Sequence, residues 1–586
     1  MNTLRLLRRL ISYRPLLYGA VFLMRIFIFA VTVQGTGLVM KDFFDALAGH
    51  GSLGFSPYGL CALIVGIAVA RSVVILADIT TEWTWNYLGA SLIRRNLFER
   101  ILSKPAAQAL PESTGEAVNR FRDDVDQIIE FCDSLLFLTG MAVFAVMAVV
   151  TMVRIHLLIT VVVFLPLVLI VTAASWGMKR LEAYRRANRE STGAVTGFLG
   201  ELFGSIQAVK TAGAEGRTIA HFQGLNERRK NAALRDRLLN LLFESVFWNI
   251  VNVGTGLILL LSSRALLGGS FTVGDFTLFV YYLAWVTSLV ANTGMTLARF
   301  KQTGVAFDRL AQLLQGEPAG ILVEHHPMPI RGAIPEVPYH AKTSGDRLEL
   351  LEIRGLGYRY PGTERGIFGV DLRIERGQFI VITGRIGSGK SCLLRVALGL
   401  LPRDAGEVLW NGATVQDPAS FLVPPRCAYT AQVPRLFSES LRANILMGLP
   451  EEEVSLDDAL EAAVLERDVP LLEQGLDTLV GTRGVKLSGG QIQRAAAARM
   501  FVRDPELLVL DDLSSALDVD TERTLWERLE KRASRTCLVV SHRRAAFRRA
   551  DRIVVLKGGT IEDQGSLPEL LERCEEMRTL AGAESA

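Results

Sequence analysis

Before residue 300 the chain carries six apolar stretches, near 16–40, 57–80, 133–153, 157–176, 243–267 and 273–297. Each is about as long as the roughly 20 residues that carry a helix across a bilayer. Lipid offers no partner to a bare N–H or C=O, so such segments must close their hydrogen bonds internally. This half is therefore expected to be a six-helix, all-α transmembrane domain, which excludes a purely soluble protein. Two connections are short: Val153-Arg154-Ile155-His156 reads as a tight hairpin, and Gly268-Gly269-Ser270 as another turn.

Loop charge sets orientation. Arg5, Arg8, Arg9 and Arg14 precede the first span, and the segments 91–130 and 179–240 are rich in Lys and Arg, whereas the intervening loops carry almost none. Both termini are expected on the cytosolic side of the cell (inner) membrane. The apolar run after the N-terminal arginines is too long for a cleavable signal. The two basic segments keep helical periodicity over a length no loop needs, so helices 2 to 5 should project well beyond the bilayer.

Ionisable groups at membrane depth are costly and face an interior or a cavity. Arg25 and Arg71 fall inside spans 1 and 2, and Asp78 and Glu244 lie toward span ends. For Arg71 a polar substrate path and a structural ion pair weigh equally; for Asp78 and Glu244 the structural reading is preferred. The 64 Lys and Arg against 61 Asp and Glu leave a net charge of +3, which gives no nucleic-acid signal. Six scattered cysteines show neither metal nor disulfide spacing and read as small buried apolar residues. Proline-rich residues 315–347 read as a linker, with His325-His326 as a solvated pair.

From about 348 short β runs alternate with helices, the pattern of an α/β domain with a parallel sheet. Runs 350–354 and 379–383 read as strands. The second feeds into Gly384-Arg385-Ile386-Gly387-Ser388-Gly389-Lys390-Ser391, which matches G-x-x-x-x-G-K-[ST]. Glycines let the backbone approach phosphates, Lys390 reaches the terminal ones, and Ser391 is placed to ligate Mg²⁺. The helix that follows adds a favourable dipole. Further on come Leu487-Ser488-Gly489-Gly490-Gln491 opening a helix, the apolar run Leu507-Leu508-Val509-Leu510 ending in Asp511, and the pair Ser541-His542.

That succession resembles the ATP-binding-cassette (ABC) family, and nearly the whole chain fits its exporter layout: 1–314 transmembrane, 315–347 linker, 348–586 ATPase. The resemblance implies a P-loop ATPase fold that uses ATP and Mg²⁺. It implies that Tyr360 stacks on adenine, that Gln432 contacts Mg²⁺ and the attacking water, that Asp511 holds Mg²⁺ through water, and that His542 contacts the γ-phosphate. Ser488, Gly489, Gly490 and Gln491 would cap the ATP held by a partner subunit. Coupling helices are implied near 110–121 and 212–222.

The family normally has Glu after the Walker B aspartate; here Asp512 stands there, and Thr482 stands where exporters usually show Glu. One methylene less withdraws a carboxylate by about 1.5 Å, and misplacement on the order of 1 Å can cost about a hundredfold. The expectation is an ATP-driven exporter subunit with a slow site of its own (Asp512, His542, Gln432), paired with a second half-transporter carrying the missing Glu. A homodimer, an importer with the same layout and a low-turnover ATP-gated membrane module stay open, and the transported substrate is not readable.

Overall fold

The computed structural model describes residues 2–583 apart from 105–113, 268–269, 329–337, 482–486 and 532–535; some further side chains, including those of 165–182, lie outside the described set. The chain forms two compact units, one from Met1–Arg100 and Glu112–Ile330, the other essentially Arg331–Ala586.

The first unit is entirely helical where described. Among the described residues, four helices are long and apolar enough to cross a membrane: Pro15–Leu47, Pro57–Ser103, Gly115–Val162 and Val273–Leu313. They contain predicted spans 1, 2, 3 and 6. Span 4 is helical, but most of its side chains lie outside the described residues; in span 5 the described apolar stretch is confined to Asn252–Ser263. The break predicted at 153–156 narrows to one residue, His156, whose φ of −156° and ψ of 100° interrupt Val125–Gly204. Its imidazole Nδ1 accepts from the Ile159 N–H at 3.4 Å, capping the helix that resumes. The turn at Gly268-Gly269 is outside the described residues.

The projecting helices are present. Pro57–Ser103 has 47 residues and Glu215–Leu267 has 53, about 70 and 80 Å at 1.5 Å per residue, against a hydrocarbon layer of about 30 Å. The second tip differs from expectation. Its short helix is Ile206–Thr211, 212–214 is a turn, and the next long helix already starts at Glu215. Of the first tip, 110–113 lie outside the described residues; the rest is helical, Thr114–Asn119 running on through Arg120–Asp124.

Packing in this unit depends on close approach. A Cβ on Gly37 would lie 2.2 Å from the Tyr282 ring, whose hydroxyl donates to the Gln34 carbonyl at 2.9 Å. Phe144 meets Tyr282 edge-on at 5.4 Å. Arg25 is answered by three carboxylates: its Nε lies 2.8 Å from Asp78, and its Nη2 pairs with Glu82 and, at 3.4 Å, with Asp133. Asp78 is thus structural, as preferred. Arg71 has its guanidinium over the Trp285 ring at 5.4 Å. The side chain of Glu244 is outside the described residues.

The stretch read as a linker is anchored at both ends. Leu322 and Val323 are buried. Asn96 Nδ2 donates to the carbonyls of Ile321, Leu322 and Glu324 at 2.8 to 3.2 Å. His325 is exposed, as expected, and is also held in place: its ring sits 5.4 Å from Tyr13, with Nε2 2.8 Å from the Arg9 carbonyl. At the other end Lys342 pairs with Glu506 at 2.7 Å and Asp346 with Arg426 at 2.8 Å.

Among the described residues the second unit carries ten strands: β1 (Leu350–Arg359), β2 (Gly366–Glu375), β3 (Phe379–Thr383), β4 (Ala405–Trp410), β5 (Ala413–Thr414), β6 (Cys427–Thr430), β7 (Leu507–Asp511), β8 (Thr536–Val540), β9 (Arg552–Lys557) and β10 (Thr560–Gly565). They form an antiparallel sheet β2-β1-β4-β5 and a second sheet β10-β9-β3-β8-β7-β6, parallel except for β10. Both faces of the parallel sheet are covered, hence its near-continuous apolar strands. Val381, Leu508, Leu510 and Val539 enter one core, while Ile380, Ile382, Val509 and Val540 enter the other. Five cysteines are buried as expected; Cys61 instead is exposed on the Pro57–Ser103 helix.

Candidate functional site

Parallel strands of one sheet deliver their carboxyl ends to a common edge, where open α/β sheets bind ligands. β3 ends in the 384–391 loop, β6 runs on to Gln432, β7 ends at Asp511 and Asp512, and β8 runs on to Ser541 and His542. Register fixes this convergence: Asp511 pairs with Val540, and Ile382 with Val540 from the other side.

The loop is a cradle by backbone geometry. Gly384, Gly387 and Gly389 have φ of +146°, +85° and +102°, values that side chains rarely adopt. A Cβ at Gly384 would stand 2.1 Å from the Leu556 carbonyl oxygen. Lys390 opens the helix Lys390–Ala397, and its ammonium donates back to the carbonyls of Gly384 at 2.7 Å and Arg385 at 2.9 Å. Among the described residues Ser388 Oγ is buried without a hydrogen-bond partner, an orphan that an anion's oxygen would answer.

Ser391 Oγ donates to Asp511 Oδ1 at 3.0 Å, and the Tyr429 hydroxyl lies 3.3 Å from Asp511 Oδ2. Asp511 is fully buried. Hydroxyl, carboxylate and amide oxygens form the hard donor set that suits Mg²⁺. Asp512 sits in the left-handed region at φ +54°, its N–H donating to the Val540 carbonyl at 3.0 Å. Gln432 Nε2 donates to Asp512 Oδ2 at 3.2 Å. Burial raises both carboxyls above the ordinary Asp range. Hydrogen bonds from Ser391 and Tyr429 pull Asp511 back, and Gln432, His542, Arg543 and Lys390 do so for Asp512. Burial also lowers the Lys390 ammonium, against the pull of Asp511 and Asp512. The edge thus concentrates groups of both signs in partial desolvation, a marker of functional sites.

Tyr360 presents a partly exposed ring beside Cys392, packed edge-on against buried Tyr358 at 5.1 Å. Arg385 extends outward and pairs with Glu576 at 2.6 Å. Ser488 caps the helix Gly489–Phe501 through a capping box with Gln491. Among the described residues, the side-chain hydrogen bonds of Ser488 and Gln491 tie the two to each other and Gln491 to Asp468, and none reaches the 384–391 loop. The structure therefore gathers Tyr360, the loop, Gln432, Asp511, Asp512 and His542 in one region and gives the signature segment a separate place. Thr482 lies outside the described residues.

Three contributors escaped the sequence reading. Tyr429 backs Asp511. Gln493 bonds Ser515 Oγ at 3.0 Å and accepts from the Ala516 N–H at 3.1 Å, tying the signature helix to the loop after Asp512. Gly490 permits this approach, since a Cβ there would lie 2.9 Å from the Ala516 oxygen. Arg543 pairs with Glu522 and donates to the carbonyls of Ser515 at 3.3 Å and Leu517 at 3.2 Å. Tyr429 stands three positions before Gln432, Gln493 two after Gln491 and Arg543 directly after His542, and that proximity is the sequence signal for each.

The family model for the ABC transporter transmembrane region matches residues 17–290, and the ABC transporter model matches 367–515. The ATP-dependent lipid A-core flippase of Cupriavidus pinatubonensis is 28% identical over 96% of this chain and 94% of its own length. Its counterpart in Bordetella pertussis is 27% identical over 92% and 85%. A bacterial Atm1-family ABC exporter solved with ATP bound superposes with a TM-score of 0.74 at 23% identity, covering 99% of both chains, which speaks for the fold. With a helical membrane unit, a P-loop sheet and both family regions in one polypeptide, the chain belongs to the ABC transporter family as an ATP-hydrolysing exporter half-transporter.

Proposed function

We propose that this chain is the weakly hydrolysing half of a heterodimeric exporter of the cell (inner) membrane, with both termini and the ATPase unit in the cytosol. The observation that carries the reading is Asp512, a short carboxylate at the position of the catalytic base, held by Gln432 at 3.2 Å. In this reading Lys390 exchanges the carbonyls of Gly384 and Arg385 for the terminal phosphates of ATP, while the amides of 384–391 line the phosphate chain. Tyr360 stacks on adenine, and His542 reaches the γ-phosphate. Ser391, Asp511 and Gln432 would hold Mg²⁺, which supplies neutralisation of phosphate charge. Asp512 polarises the attacking water from too far back.

Ser488, Gly489, Gly490 and Gln491 form an intact cap at a positive helix end. They would complete the phosphate site of a partner that carries Glu where this chain has Asp512. ATP binding closes the two cassettes and turns the cavity outward; hydrolysis at the partner's site resets it. The names of the relatives make an amphipathic lipid the first cargo class to assay. The test is affinity purification of the tagged chain from its native membrane. Recovery of an equimolar second half-transporter with the catalytic Glu supports the reading, and recovery of this chain alone as a dimer refutes it.

A further inference from the structure

The 384–391 loop is braced from a segment beyond the ATPase family match, which ends at residue 515. Three left-handed glycines leave the loop little stiffness of its own. The turn between β9 and β10 supplies one support: the Gly559 N–H donates to the Ser388 carbonyl at 3.1 Å. The terminal helix Glu575–Ala583 supplies another. Its Glu576 is 2% exposed, in a stretch where Leu570, Cys574 and Met577 are also buried; its Oε1 faces Arg385 Nε at 2.6 Å as an ion pair without hydrogen-bond alignment, and its Oε2 lies 3.9 Å from Lys557 Nζ. A desolvated carboxylate has to keep its cationic partner, and here Arg385, 66% exposed, supplies that charge from the surface. The same helix accepts from Arg544 Nη2 at the Ala581 carbonyl, 2.6 Å away, and Arg544 opens the helix that follows His542.

We propose that Glu576 is a positioning residue for nucleotide binding: by holding Arg385 it fixes the Gly384–Arg385 peptide units that Lys390 grips, so the loop is set before ATP arrives. This rests on the reading of 384–391 as the nucleotide loop. Without the brace, ligand binding must supply the ordering of the loop, and the loss falls on affinity more than on turnover at saturation.

The test measures fluorescent ATP-analogue affinity, saturating turnover and thermal stability of the full-length complex in nanodiscs. Glu576→Gln, Arg385→Gln and the double variant are compared, with Lys390→Ala as control. Loss of the brace should raise Kd about tenfold, which corresponds to about 1.4 kcal/mol. Each single variant should show it, the double should be no weaker than the weaker single, and Arg385→Lys should recover part of it. Arg385→Gln alters an exposed side chain, so it remains informative if Glu576→Gln fails to fold. Unchanged Kd in Arg385→Gln, additive losses in the double, or a lowered melting temperature with unaltered Kd would each overturn the inference. If the parent complex, at neither site, distinguishes itself from Lys390→Ala, the reading of the loop itself falls instead.

Discussion

Restoring the missing methylene at residue 512 is the most direct probe of the proposed asymmetry. Asp512 cannot advance toward the phosphates, because its N–H is fixed to the Val540 carbonyl at 3.0 Å and its carboxylate is held by Gln432 at 3.2 Å. Asp512→Glu extends the carboxylate by about 1.5 Å, one C–C bond. A displacement on the order of 1 Å at a reacting group changes rate about a hundredfold, or about 2.7 kcal/mol of barrier. Turnover at this chain's own site should therefore rise between about tenfold and a hundredfold. The backbone at φ +54° opposes the exchange. Asp tolerates that left-handed conformation better than Glu does, so stability should fall by about 1 kcal/mol. Activity and stability then move in opposite directions, which no general improvement in folding would produce. The assay is phosphate release by the purified chain in nanodiscs with MgATP, beside Asp512→Asn and thermal unfolding. Equal turnover for the parent and Asp512→Glu, with Asp512→Asn far below both, would show that Asp512 already primes its water and would refute the reasoning.

Glu506 accepts from the Leu348 N–H at 3.1 Å and pairs with Lys342. Burial pushes its carboxyl up, but those hydrogen bonds and the charge of Arg376 outweigh burial and leave it below the ordinary value of 4.5. A depressed folded value means the stabilisation is full above 4.5 and fades as pH falls through the folded value. Glu506→Gln should cost about 1–3 kcal/mol at pH 7 and progressively less in acid, as read by unfolding at several pH values. Asn96→Ala strips three carbonyls of their donor and should cost about 2 kcal/mol, with faster limited proteolysis after residue 324; unchanged cleavage would contradict the docking. Gly384→Ala would press a Cβ to within 2.1 Å of the Leu556 oxygen. It should abolish ATP-analogue binding while far-UV circular dichroism stays at the parental level.

The reach of the sequence follows the range of the interactions. Phosphate-loop glycines, the Ser488–Gln491 capping box and the strand ending at Asp511 are encoded within a few residues, so motif and conformation coincide. Apolar runs marked spans 1, 2, 3 and 6 in the same way, and unbroken periodicity announced the length of the helices beyond the bilayer. The tip at 206–211 was misplaced by several residues because a short helix followed by a glycine turn carries little periodic signal. The anchored ends of 315–347 were hidden because Asn96, Tyr13, Glu506 and Arg426, which hold them, lie far away in the chain.

By itself the sequence determined that a helical membrane half precedes a P-loop half, and that the residue after Asp511 is one methylene short. Tertiary structure alone decided that Arg25 is answered by three carboxylates, that Tyr429 and Arg543 support the catalytic edge, and that Glu576 reaches Arg385 from nearly two hundred residues away. Local conformation is written in neighbouring side chains, whereas the partner of a buried charge is chosen by strand register and helix packing, which no short stretch of sequence specifies.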